Sequence, residues 1–387
     1  MCEPVLIAGG GIGGLALALA LARTGRRSIV LEQRQRFAGA GAGIQLGPNG
    51  VRVLQRLGLA EALQPAVGVP DALAVHHGAS GRTLAVLPLG RWIAARHGAP
   101  YWVAHRGDLH RVLADAAASE PLITLRAGFA LASLAQTHAR VEAKSTGNVV
   151  LAGRALIGAD GLWSRTRDLI APGHVPAFAG STAARTVIPV AQAGRLALPA
   201  VGLWLTPSAN VVHYPVRGGS EIAAVIISLD AWQGTDWEAE ADRATLIKRL
   251  CTFHASLAEP LVMAPEWRQW GLYRLPPLPR WAAGRVALIG DAAHPMLPHL
   301  AQGGVLALED AVALCDALAA HPDEARAFLA FAAKRRRRAQ RVQAMSRLNG
   351  RVYHLAPPLS WARDGVLRLL PGSWLMAGYD WLYGWRG

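Results

Sequence analysis

Pro4 to Ala8 is a short apolar stretch that runs into a cluster of glycines, Gly9 to Gly14, and then into a longer apolar stretch, Leu15 to Thr24. The pattern predicts a buried strand, a tight turn and a helix that stops near Gly25, and Ser28 to Glu32 reads as a second short strand. These elements make a βαβ unit. Between Ala200 and Ser228 the pattern changes to alternating apolar and polar stretches, among them Val211-Val212-His213-Tyr214-Pro215-Val216, interrupted by Arg217-Gly218-Gly219. That spacing predicts antiparallel strands joined by turns. Arg285 to Ile289 reads as another buried strand, followed by a Gly- and Pro-rich loop, a helix from about Val305 to Ala319 and a helical stretch from Phe328 to Arg347. After Gly350 the periodicity fades, which predicts a helical, loop-rich tail.

The order of these patterns predicts an α/β fold in which a Rossmann-like nucleotide-binding domain is built from residues 1–70, 100–172 and 281–345. A mainly antiparallel β substrate domain, 71–99 and 173–280, is inserted into it, and 346–387 form a C-terminal helical tail.

Composition changes this picture little. The 387 residues are 52% hydrophobic and 17% charged, which excludes a disordered chain. The stretch Val5 to Ala22 is apolar enough to resemble a membrane span or signal peptide. However, Met1-Cys2-Glu3-Pro4 carries no basic residue and five glycines cut the run, so no membrane span is expected. Cys2, Cys251 and Cys315 form neither a disulfide framework nor a metal-binding spacing, which fits a reducing cytoplasm and predicts no metal site. The formal charge of +14 raises a nucleic-acid partner, but it is almost all arginine spread along the chain, with lysine only at Lys144, Lys248 and Lys334. The one dense run, Lys334 to Arg338, reads as a solvated helix face, so no nucleic acid is expected.

The chemistry begins at Gly9-Gly10-Gly11-Ile12-Gly13-Gly14, a GxGxxG pattern placed where a strand runs into a helix. Gly9 permits the turn, Gly11 lets a pyrophosphate approach the backbone, Gly14 lets helix and strand pack, and the helix N-terminus offers N–H donors and partial positive charge. Glu32, at the end of the second strand, is placed to accept hydrogen bonds from ribose hydroxyls. This unit identifies a dinucleotide without separating NAD from FAD.

Two further segments make that separation: Gly158-Ala159-Asp160-Gly161 and Gly290-Asp291-Ala292-Ala293-His294-Pro295, each after an apolar strand. With the first motif, with Ala40 to Asn49, His105 to Leu109 and Asp380 to Gly384, they resemble the signature of the class A flavoprotein monooxygenases, the hydroxybenzoate and salicylate hydroxylase group. The resemblance implies bound FAD, with NADH or NADPH as co-substrate, and a hydroxybenzoate hydroxylase type of fold. It implies that Asp291 binds the ribityl chain and that Gly303, Gly304 and Val305 present backbone N–H groups to the flavin ring. It places Arg106 along the pyrophosphate or ribityl region, the alternative being a surface salt bridge. It gives Asp160 the loop between the flavin and nicotinamide sites, the alternative being a plain Asx-capped turn. Gln33, Gly43, Ile44 and Leu131 complete the implied cofactor set.

The same resemblance places His213 and Tyr214 in the segment lining the substrate pocket. His213 is then the candidate base that removes a phenolic proton, against the alternative of a buried structural histidine. Pro298, His299 and Gln302 are expected at the reacting edge of the flavin, with Gln302 orienting the substrate hydroxyl, although His299 also fits a solvent-facing loop residue. Gln45 stands where some relatives carry a histidine. The implied activity is hydroxylation of a small phenolic or hydroxybenzoate-like ring with O2 and NAD(P)H, by a cytoplasmic monomer or homodimer. Three alternatives remain open: a related flavoprotein that hydroxylates or epoxidises a larger natural product, an NAD-dependent dehydrogenase, and a basic nucleic-acid-binding protein.

Overall fold

The computed structural model describes residues 3–38, 41, 43–232 and 239–387; Cys2, Ala40 and Ala42 lie outside the described residues. The buried apolar runs assemble a six-stranded sheet in the order Ala282–Ala283, Val286–Leu288, Ala155–Gly158, Val5–Ala8, Ser28–Glu32 and Ile123–Ala127. All of its neighbours are parallel except the first pair. A parallel sheet covered on both faces needs apolar residues at every position, which is why these strands read as continuous runs. The helix Ile12–Ala22 packs against it and against the helix Gly303–Ala320.

That first helix begins three residues earlier than the sequence pattern predicts. Gly13 and Gly14 lie inside it, because a Cβ on Gly14 would sit 2.0 Å from the Gly9 carbonyl oxygen. The second helix likewise starts at Gly303, two residues before the expected Val305. The tail resolves into three helices, Leu359–Leu369, Gly372–Ala377 and Asp380–Tyr383.

The inserted segments form an eight-stranded sheet in the order Ala239–Glu240, Arg268–Arg274, Ala177–Pro189, Glu221–Leu229, Ala209–Val216, Ala200–Leu205, Ala72–His77 and Thr83–Pro88. Because successive side chains of a strand point to opposite faces, this sheet serves two cores. One face carries Val211, Trp204, Ile222, Ala224 and Ile226 and packs with Leu246, Leu250 and Leu257 of the helices Arg243–Leu250 and Ala255–Val262. The other carries Val75, Leu203, Tyr214 and Ala223, which join the main core of the nucleotide-binding half. A small sheet of Gly43–Leu46, Trp102–His105 and Val67–Gly68 lies at this joint. Among the described residues no helix is long and apolar enough to cross a membrane, and no group of three or more His, Cys, Asp or Glu could hold a metal ion.

The basic run Lys334 to Arg338 is a solvated face only in part, with Lys334 and Arg337 exposed. It lies in the helix Glu324–Tyr353, where Arg335 is 1% exposed, and Glu309 and Asp310 of the neighbouring helix have no exposed surface. Arg335 pairs with Asp310 at 2.6 Å and Glu309 at 2.9 Å, and Arg338 pairs with both Glu309 oxygens at 2.6 Å. The helical repeat turns positions 335 and 338 inward together, while Arg336 only reaches the carbonyls of Leu278 and Pro279. Two buried carboxylates require such partners, and removing one partner of a buried pair costs about 3–5 kcal/mol. Arg335→Met is therefore expected to lower stability by about that amount in urea denaturation, against less than about 0.5 kcal/mol for Arg336→Ala. Equal effects would contradict the ion-pair assignment.

Candidate active site

The turn after Val5–Ala8 is built for close approach. Gly9 has φ +111°, and a Cβ there would lie 2.3 Å from the Ala159 carbonyl oxygen, whereas a Cβ on Gly11 would meet nothing within 4 Å. Gly11 is thus the open side of the turn, above the N-terminus of Ile12–Ala22, where a pyrophosphate fits. The half-buried Glu32 accepts from Gly10 N at 2.9 Å and from Arg34 N at 2.9 Å, so its carboxylate is fixed beside that turn. His110, which sequence reasoning missed, is buried with Nε2 2.8 Å from the Gly10 carbonyl. Gln33 is exposed at the end of the same strand, and Leu131 is half-buried at the start of Leu131–Gln136.

Asp160 is a loop anchor. Its carboxylate accepts from Ser164 Oγ at 2.6 Å and from both N and Oγ1 of Thr166 at 2.9 Å, tying the loop to the start of Arg165–Ile170. Arg106 opens the helix Arg106–Ala118, its exposed side chain running past Gly41, where a Cβ would lie 2.8 Å from the Arg106 Cδ.

Gly290 has φ +58°, and its N–H donates to Asp310 at 2.9 Å while His294 Nε2 meets the same oxygen at 2.5 Å. The turn is thereby locked to the buried ion cluster, and His294 belongs to this scaffold. Asp291, one residue on, faces the start of Gly303–Ala320: a Cβ on Gly303 would be 4.0 Å from its Oδ1. Burial pushes its carboxyl up, and the charges of His294 and Arg106 oppose that shift. Ile44 and Val305 close on this helix start, since a Cβ on Gly304 would lie 2.8 Å from Ile44 Cδ1 and one on Gly50 3.1 Å from Val305. The cradle glycines, the open Gly11 and the acids at both ends fit a dinucleotide with an extended second half.

On the other side of the joint, Tyr214 lies against Gly43, where a Cβ would be 2.5 Å from its hydroxyl. Gln45 accepts from the Tyr101 hydroxyl at 2.6 Å. Burial raises the pKa of both phenols, so they are neutral hydrogen-bonding groups. Tyr383 of the tail meets Tyr101 edge-on at 6.0 Å.

His213 does not join this group. Its neighbour Tyr214 takes the face toward the flavin half, so the imidazole must take the opposite one, over Gly202 and 6.4 Å from Trp204. Burial lowers its pKa to about 3, with a smaller contribution from His76. It is a core histidine of the second layer, and its candidacy as the base fails on geometry.

His299 also turns away from the expected edge: a Cβ on Gly350 would lie 2.6 Å from its ring, which meets Tyr353 and His354 edge-on at 5.8 and 5.9 Å. Burial pushes its pKa down to about 4. Pro298 is exposed in the same turn. Gln302 is buried, and its Oε1 accepts from Asn49 Nδ2 at 3.0 Å, while Asn49 also donates to Glu309 at 2.8 Å. Asn49 was not singled out in sequence, although it lies in the quoted Ala40 to Asn49 segment.

Residues 3–347 match the family described as FAD binding domain, which covers most of the chain. The chain belongs to this FAD-binding family. It is 34% identical over 387 residues to 3-hydroxybenzoate 6-hydroxylase 1 of Aquipseudomonas alcaligenes, covering 99% of this chain and 98% of the relative. It is also 34% identical over 386 residues to the 3-amino-4-hydroxybenzoate 2-monooxygenase PtnB3 of Streptomyces platensis, covering 99% and 96%. Its fold matches a salicylate hydroxylase substrate complex with a TM-score of 0.82 at 25% identity, covering 100% and 96%.

The open side of the turn supplies a test of the FAD cradle. Gly11→Val meets no protein atom at its Cβ, so it is expected to fold with the parent's circular dichroism spectrum while binding FAD at least about tenfold more weakly. Unchanged FAD affinity on titration of the apoprotein would contradict the cradle.

Proposed function

We propose that this chain is an FAD-dependent monooxygenase that hydroxylates a small phenolic or hydroxybenzoate-like ring with O2 and NAD(P)H. The observation that carries the reading is the joint itself: a Gly-rich helix start faces a sheet surface bearing neutral phenols, in a chain similar along its whole length to aromatic hydroxylases. FAD, when bound there, supplies hydride acceptance from NAD(P)H and oxygen activation.

The protein's own residues supply placement and a dry environment. In this reading the Gly9 to Gly14 turn and the helix behind it hold the pyrophosphate, with Arg106 alongside, and Glu32 holds the adenosine ribose. Asp291 accepts from ribityl hydroxyls. The N–H groups of Gly303, Gly304 and Val305 direct positive potential at the flavin ring, stabilising negative charge there. Tyr214, Gln45 and Tyr101 orient the substrate through neutral hydrogen bonds, and the apolar walls exclude water. His213, on the opposite face of the sheet over Gly202 and beside Trp204, takes no part in removing the phenolic proton. The absence of a membrane-crossing helix among the described residues and the free Cys251 and Cys315 accord with a reducing cytoplasm.

The FAD-loaded protein is expected to oxidise NADH or NADPH faster in the presence of 3-hydroxybenzoate, 3-amino-4-hydroxybenzoate or a related acid, giving a product one oxygen heavier. Loaded protein whose NAD(P)H oxidation none of these rings stimulates, or that releases only peroxide, would overturn the reading.

A further inference from the structure

On the face of the substrate sheet that looks toward the flavin half, two described residues have a buried side-chain oxygen without a partner: Asn210, and Glu221 at the end of its strand, whose other oxygen accepts from Arg217 at 2.8 Å. Asn210 lies on the strand Ala209–Val216 at an even spacing from Val212 and Tyr214, so its side chain shares their face. Its cross-strand neighbours are Leu205 and Ile227. Ile227 clusters with Ala183 and Leu272, and Leu297 of the loop following Asp291 packs onto that cluster. Asn210 thus sits beside the place where the flavin-side loop meets the sheet. It is 2% exposed, and its Oδ1 is sealed from solvent with no partner among the described residues.

Buried polar atoms in folded proteins are nearly always paired, and an unpaired acceptor costs about 1–3 kcal/mol. The amides that the flavin half brings to the joint are committed: Gln45 to Tyr101, and Gln302 to Asn49. His213 is on the far side of the sheet. We infer that Asn210 is a specificity-determining residue whose Oδ1 accepts a hydrogen bond from an O–H or N–H substituent of the substrate ring. The inference rests on the reading of the chain as an aromatic monooxygenase and names the group by which that ring is recognised. A phenol or an arylamine completes the acceptor, whereas an unsubstituted or alkylated ring leaves it buried and unpaired.

The test uses FAD-loaded protein and reads ligand binding from the perturbation of the flavin absorbance, with 3-hydroxybenzoate, 3-methoxybenzoate and benzoate as probes. The wild-type protein is expected to prefer 3-hydroxybenzoate over the other two by about tenfold. Asn210→Leu, close in shape and without an acceptor, is expected to bring the ratio near one at unchanged FAD content, with Asn210→Ala as the second variant should the leucine disturb folding. A preference that survives in the folded variants would overturn the role of Asn210 while leaving the monooxygenase reading in place. Wild-type protein that binds none of the three acids would overturn both.

Discussion

Two carboxylates without any exposed surface, Glu309 and Asp310, impose the constraint from which the rest of the architecture follows. An isolated buried charge is too costly to keep, so each must be surrounded by donors. Those donors come from three separate parts of the chain, and a fourth is linked through them. Arg335 and Arg338 tie in the long helix, Asn49 ties in the segment after the small sheet, His294 and the Gly290 N–H tie in the flavin-side turn, and Arg338 passes the link on to the carbonyls of Trp381 and Leu382. Burial acts to raise the Asp310 carboxyl, but His294 and Arg335 outweigh it and hold it below the usual range. The cluster stays ionic and directional, and the start of Gly303–Ala320 is held at one height relative to Gly290 and Asp291.

That helix start is where the fold's chemistry concentrates. Its N-terminus carries the partial positive charge of the helix, and Gly303 leaves that end open, the nearest atom to where its Cβ would stand being Met296 Cγ at 3.8 Å. The tail is part of the same assembly: Arg52 donates to the carbonyls of Tyr383 and Trp385, and the guanidinium of Arg335 lies 5.2 Å from the Trp385 ring. Tyr383 is thereby carried in beside Tyr101. In the proposed reading the substrate layer supplies the second wall, where burial keeps the phenols of Tyr101 and Tyr214 neutral.

The dinucleotide half was the more legible in sequence, because its demands are local. A strand, a Gly-rich turn and a helix in immediate succession can be read from a few residues, and Ser28–Glu32 emerges with the bounds that the pattern predicts. The substrate half was legible as strands but not as faces. His213 and Tyr214 are adjacent in the chain, so no more than one of them can look at the flavin; choosing between them requires knowing which alternate positions, Val211 or Val212, enter the helix-covered layer. The run Lys334 to Arg338 misled for a related reason. Its acidic partners lie on another helix, and only the packing of the two reveals that positions 335 and 338 point inward. Asn210 carried no motif at all, and Asn49 ended the Ala40 to Asn49 segment without a role of its own. Their significance lies in which amide atoms are paired and which are not, a property of the assembled interior.

The most direct measurement is a crystal structure of the FAD-loaded protein with 3-hydroxybenzoate bound. The account predicts the flavin ring against the backbone of Gly303 to Val305 and the acid between it and the Asn210 and Tyr214 face, with His213 still packed over Gly202. A substrate bound on the His213 side of the sheet, or a flavin seated away from that helix start, would contradict it.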